Sequence, residues 1–167
     1  MPASMEAAMT VFEGGCLCRA VRFRALGPSL FVAHCHCRWC RAAHGAAFVT
    51  WLGVAADGFE LMAGGDGLRW FASSEQSRRG FCGHCGTTML YRSELSPGEV
   101  HIALATIDGA ADRAPQLHVF TDQAVEWVVL GDELPRYDSD HPGLAKYRAV
   151  RAPGDARGAA DGPGSET

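Results

Sequence analysis

Lysine is nearly missing from this 167-residue chain: Lys146 stands alone, and the remaining positive charge is arginine. Compositional bias explains that as well as function does, though arginine suits two-pronged carboxylate binding. Net charge is also small, -4 from 15 basic and 19 acidic groups. No strong field exists for nucleic acid or an anionic membrane. No apolar run approaches the length of a membrane span. Met1 to Gly15 carries Glu6 and Glu13 and lacks a basic start followed by an apolar run, so it does not read as a secretory leader. A cytoplasmic setting is the expectation, where clustered cysteines serve as metal ligands more often than as disulfides. The length suits one domain able to bury its own core.

What the chain does have is seven cysteines in three tight groups: Cys16 and Cys18; Cys35, Cys37 and Cys40; Cys82 and Cys85. An odd count fits a disulfide framework badly. Two groups of two make a four-thiolate site, and the group of three makes a site one ligand short. Zinc takes four ligands, and a site with three protein ligands leaves a position for water or substrate. Cys16, Cys18, Cys82 and Cys85 are therefore expected to hold a structural zinc. Such ions contribute about 10–16 kcal/mol to folding in small domains. Gly83 and Gly86 allow backbone N–H groups to approach the sulfurs. Ordinary buried thiols are the competing explanation, but those rarely come in ligand-spaced pairs.

Cys35, Cys37 and Cys40 form the second, catalytic candidate. A zinc held by three thiolates would take an incoming thiol as thiolate, still able to attack a small electrophile. That favours addition of a thiol to an aldehyde, or its reversal, over hydrolysis. A closed site is the rival: His44 lies four residues after Cys40, an acceptable ligand spacing. His34 and His36 compete for the same role, although neighbours of a ligand on extended backbone point elsewhere. Arg38, Arg41 and Arg79 flank the cysteines, either to grip substrate carboxylates or to neutralise the clusters. Trp39 and Trp51 wall a pocket or fill the core. His84 is expected at the surface, and His101 and His118 on strands. No catalytic acid or base stands out.

Most patterned segments read as strands separated by glycine-rich turns. They are Val21–Arg24, Phe31–Ala33, Ala46–Leu52, Phe59–Met62, Leu68–Phe71, Thr88–Tyr91, Val100–Ile107 and Val125–Leu130. Only 139–152, through Ser139–Val150, suits a short helix. The connections are too short for crossover helices, so antiparallel meanders are expected. Residues 1–9 read as a flexible arm, 10–138 as the folded zinc domain, and 153–167 as a disordered tail too poor in large apolar side chains to order itself.

The ordered motifs resemble a known family. Gly15-Cys16-x-Cys18 precedes an alternating strand. Then come Cys35-His36-Cys37-x-x-Cys40-Arg41-x-x-x-Gly45, Phe81-Cys82-x-x-Cys85-Gly86 and Pro135-x-Tyr137. Over Val11 to Tyr137, with all seven cysteines in place, this is similar to the glutathione-dependent formaldehyde-activating, or centromere-protein-V-like, family. The resemblance implies a mainly β, Mss4-like fold of coiled antiparallel sheets and two Zn2+ ions divided as above. It also implies S-(hydroxymethyl)glutathione synthase activity, a carbon–sulfur lyase in reverse, with glutathione as the small-molecule thiol. A non-enzymatic, zinc-stabilised binding scaffold is the alternative, and predicts two closed sites. A methionine sulfoxide reductase of related fold needs a free redox thiol, and every cysteine here is assigned to metal.

Overall fold

The computed structural model describes residues 10–148; the expected arm at 1–9 and tail at 153–167 lie outside them. Two sheets make up the described chain. A small antiparallel sheet is formed by β1 (Val11–Gly15), β2 (Arg22–Leu26) and β5 (Phe59–Ala63). The larger sheet takes β3 (Phe31–Cys35), β4 (Val49–Ala55), β6 (Leu68–Ala72), β7 (Ser77–Cys82), β8 (Thr88–Ser93), β9 (Glu99–Ala103), β10 (Leu117–Val119) and β11 (Arg136–Tyr137). Its spatial order is β11-β10-β3-β4-β9-β8-β7-β6. The fold is mainly β, as expected. All pairings are antiparallel except those of β10, which runs parallel to β3 and β11. The one α-helix among the described residues is α1 (Arg38–His44).

The central strands separate two interiors. Successive side chains on a strand point to opposite faces. Leu52 and Val54 of β4, and Val100 and Ile102 of β9, join Phe12, Val21 and Phe23 of the small-sheet side in the main core. Each such buried side chain contributes roughly 1.5–3 kcal/mol. The alternate residues, Trp51 and Ala103, pack on the other face with Cys35, Cys40, Phe31 and Tyr91. This second face carries the candidate site. β4 is therefore apolar almost throughout, because both of its faces are buried.

Several sequence expectations need correction. Val125–Leu130 forms no strand: Trp127 is 75% and Val129 91% exposed, and Val128 N–H closes a turn onto Val125 O. Alternation alone makes no strand without a neighbour to supply hydrogen bonds. Val100–Ile107 is strand only to Ala103, then turns through a 3-10 segment at Leu104–Thr106. Ala46–Leu52 becomes strand only at Val49. Of the helix expected over 139–152, residues 149–152 lie outside the described residues, and the described part is a 3-10 segment over Pro142–Tyr147. Strands β1, β7 and β11 and helix α1 have no counterpart among the expected elements, and β10 is anticipated only in that His118 is expected on a strand.

Candidate metal centre

The first cysteine cluster joins the small sheet to the large one. Cys16 follows β1, Cys18 sits in the next turn, Cys82 ends β7, and Cys85 lies in the turn before β8. The four sulfurs all fall within 4.8 Å of one another. Backbone donors converge on them: Val21 N–H reaches Cys16 Sγ at 3.2 Å, and His84 N–H reaches Cys82 Sγ at 3.4 Å. Gly86, at φ 76, supplies the left-handed residue that lets the turn close. Thr87 Oγ1 lies 3.1 Å from Cys85 Sγ and accepts from Leu17 N–H at 3.1 Å. The Thr87 hydroxyl, aided by its backbone N–H, pulls the Cys85 thiol down to about 5. His84 is exposed, as expected.

The second cluster is a hook at the start of α1. Cys35 ends β3, Cys37 is the N-cap of α1, and Cys40 lies in its first turn. Cys37 Sγ accepts from Cys40 N–H at 3.3 Å, doing what a serine or aspartate oxygen does at other helix starts. Gly45, left-handed at φ 58, ends the helix. The three sulfurs again fall within 4.8 Å of one another. Shared hydrogen bonds from Cys35 and Cys37 hold Cys40 well below the ordinary thiol range, with the Arg79 charge helping. Those same bonds and burial push Cys35 well up.

Arg79 is 5% exposed. Its Nη2 donates to Cys40 Sγ at 3.6 Å, its guanidinium lies 5.2 Å from the Tyr91 ring centroid, and its Nη1 is buried without a partner. His44 does not join the donor set; its ring meets Trp51 edge-on at 5.3 Å, and its Nε2 is also buried and unpartnered. Arg41 turns back to donate to His36 O at 3.1 Å, and Arg38 is exposed. The three flanking arginines thus differ in place: Arg79 is buried beside sulfur, Arg41 braces backbone and Arg38 faces solvent.

Behind the hook runs a line of polar groups. The Asp132 carboxylate accepts from His118 Nε2 at 3.0 Å, and His118 Nδ1 then accepts from His36 Nε2 at 2.8 Å. Burial, with the nearby His118, drives His36 down to about 4 and keeps it neutral. His34 is spent on Thr50 at 2.8 Å. His101 sits on the other face with its Nε2 2.8 Å from Glu99 Oε2. Asp132 and Glu99 went unnoticed in the sequence, where neither has a spacing that marks it.

The hook opens on a cavity of about 710 Å³. Cys35, Cys37 and Cys40 all line it, together with Arg38, Arg79 and Trp51, and none of the other four cysteines does. Across the sheet its floor follows one register: Arg79 opposite Tyr91, Tyr91 opposite His101, His101 opposite Gly53 and Gly53 opposite Phe31. Phe31 lies over Gly53 so closely that a Cβ there would meet the ring. Both clusters could hold a metal ion. The donor chemistry fits a thiophilic divalent cation: all-sulfur sets, with a buried arginine beside the hook to offset the extra negative charge of three thiolates.

A Schizosaccharomyces pombe protein named an uncharacterized lyase is 29% identical over 83 residues, 50% of this chain. That match spans only 58% of the yeast protein's own length. A Halomonas elongata protein named after the glutathione-dependent formaldehyde-activating enzymes is 27% identical over 131 residues, covering 71% of this chain and 80% of that one. A crystal structure of a Rhodobacter sphaeroides protein aligns with a TM-score of 0.49 at 21% identity, over 60% of this chain and 92% of that one. The family model described as glutathione-dependent formaldehyde-activating enzyme matches residues 11–123, which include all seven cysteines, and the chain belongs to that family.

Proposed function

We propose that the protein is a zinc-dependent carbon–sulfur lyase of the S-(hydroxymethyl)glutathione synthase type, joining a thiol such as glutathione to formaldehyde or a related small electrophile, reversibly. One observation carries the reading: the three-sulfur hook lines the large cavity and the four-sulfur cluster does not. Cys16, Cys18, Cys82 and Cys85 would hold a structural zinc, and Cys35, Cys37 and Cys40 a catalytic one. Bound at the hook, zinc supplies a position at which a thiol loses its proton near neutral pH.

The chain's own groups do the rest. Addition forms one C–S bond and moves the carbonyl pair onto oxygen, which then takes a proton. Arg79 places a permanent positive charge beside Cys40, where negative charge accumulates as the thiol arrives. Tyr91 and Trp51 wall off water around it. Arg38 stands at the mouth, free to pair with carboxylates of a peptide thiol. Arg41 holds the hook's backbone through His36 O.

The test is the exchange rate among glutathione, formaldehyde and their adduct, followed by NMR with and without zinc-loaded protein. Acceleration above the spontaneous background, lost in Cys40→Ser, is the expected result. No increment over background would remove this substrate pair.

A further inference from the structure

We propose that residues 139–148 form a specificity cap over the hook's cavity, and that the cavity takes an apolar group about the size of an aromatic ring. The placement of that group next to the reacting sulfur rests on the lyase reading; the cap itself does not. The family match ends at residue 123, yet Ser139, Gly143, Leu144, Lys146 and Tyr147 all line the cavity. What closes this site therefore comes from chain lying beyond the matched region.

The cap is anchored. Ser139 donates from N–H and Oγ to the two Asp122 oxygens, at 2.8 and 2.7 Å. Gln123 Nε2 donates to Ser139 Oγ at 3.0 Å. At the far end, Lys146 Nζ donates to Ser96 Oγ at 2.8 Å, and Tyr147 Oη lies 3.0 Å from the same oxygen. Between these ties Leu144 is 6% exposed. Phe120, which lines the same cavity, has a left-handed backbone, φ 59, unusual for a bulky residue, and its ring meets Tyr147 edge-on at 6.0 Å. Such a conformation persists only where its surroundings hold it, and these residues cluster at ligand sites.

Size and chemistry name the occupant. Cavities of about 300–1,000 Å³ enclose drug-sized ligands, and this one measures about 710 Å³. Part of its wall is apolar or aromatic, formed by Phe31, Trp51, Tyr91, Phe120, Leu144 and Tyr147, while charged side chains such as Arg38 and Arg79 line the rest. A peptide thiol such as glutathione is drawn by its carboxylates to the charged part of the lining at Arg38, so with formaldehyde's one carbon the apolar walls go unfilled. An aldehyde bearing an aryl or branched alkyl substituent fills them and undergoes the same addition: the C–S bond forms, the carbonyl pair moves to oxygen, and oxygen takes the thiol's proton. The ring could instead belong to the thiol; the chemistry recognised is the same.

The cap is tested without turnover, on the metal-loaded protein, by saturation-transfer NMR with 2-phenylethanol, which has the ring but neither sulfur nor carbonyl, and with ethanol as control. Saturable ring signals are expected, with affinity at least about tenfold above ethanol's, as apolar pockets discriminate. Leu144→Asn and Phe120→Gly should each lower that affinity about tenfold while zinc content and the near-UV spectrum stay unchanged. Equal affinity for both alcohols, or ring binding untouched in both variants, overturns the cap. Two further arms locate the ring: turnover of benzaldehyde with glutathione, and of formaldehyde with 2-phenylethanethiol. The lyase reading has a separate readout, the charge-transfer spectrum of cobalt-substituted protein with 2-mercaptoethanol. No change there sinks that reading while leaving the alcohol result to decide the cap.

Discussion

The two cysteine clusters use the same donor atom and differ in what surrounds it. Cys16, Cys18, Cys82 and Cys85 sit at the ends of β1 and β7 and in the turns that follow, two buried and two exposed, with backbone N–H groups as their main company. Cys35, Cys37 and Cys40 sit where a strand becomes a helix, face a cavity, and have a buried arginine and a histidine line against them. Backbone donors stabilise a cluster in one state. A buried cation and an open side instead suit a cluster whose charge changes as a ligand comes and goes. β7 connects the two, carrying Arg79 to the hook and Cys82 to the turn cluster three residues later. The contrast is thus between a rivet and a seat, built on one strand.

Cys82→Ser gives the largest expected effect. Cys82 is fully buried and ties β7 to the turn after β1. With structural zinc worth about 10–16 kcal/mol in small domains, its loss should abolish cooperative melting in circular dichroism. A variant melting like wild type would strip the turn cluster of its structural role. Cys40→Ser is the counter-experiment: the melt should survive, zinc should fall from two equivalents to one, and catalysed exchange should drop at least about a hundredfold, as for loss of an essential site. Collapse of the fold in Cys40→Ser would erase the distinction between the two clusters.

The cysteine division was legible because ligand spacing is local: both the Cys-x-Cys and Cys-x-x-Cys intervals appear within a few residues. The strands around Phe23, Trp51 and Leu90 were legible for the same reason, through apolar periodicity. Helix α1 was not, because it is seven residues long and its cap is a cysteine, which no capping rule anticipates. β7 was hidden by Arg78 and Arg79, one exposed and one buried; sequence cannot say which arginine has a sulfur waiting for it. Val125–Leu130 shows the opposite failure, a strand-like pattern with no sheet edge beside it. The pairings of Ser96 with Tyr147, and of His36 with His118, join residues 51 and 82 positions apart, beyond any local pattern.

Arg79→Met tests the charge that separates the seat from the rivet. A hydrogen bond to a charged partner contributes about 1.5–3 kcal/mol, so turnover should fall roughly ten- to a hundredfold. The loss should be in kcat more than KM, with partial recovery in Arg79→Lys. A loss confined to KM would move Arg79 from the reacting centre to plain substrate binding.

The smallest effect, and the most selective, is expected at Asp132. Its carboxylate lies two hydrogen bonds from His36, which stands between two hook cysteines and whose backbone N–H and C=O are both engaged, by Val119 O and Arg41 Nε. The side chain of Asp132 is 42% exposed, so replacing it leaves the core intact. Partners that orient ligands are worth about 10–100-fold in metal affinity when they touch the ligand directly. Acting two hydrogen bonds further away, Asp132→Ala should speed metal release from the hook by about tenfold at most. The turn cluster, which shares no contact with this line, should release its metal as before. Zinc loss to a chromogenic chelator should then resolve into two phases, only the faster one altered, with Asp132→Asn restoring it because the amide oxygen still accepts from His118. Equal acceleration of both phases would mean that the histidine line supports the whole domain rather than the hook alone.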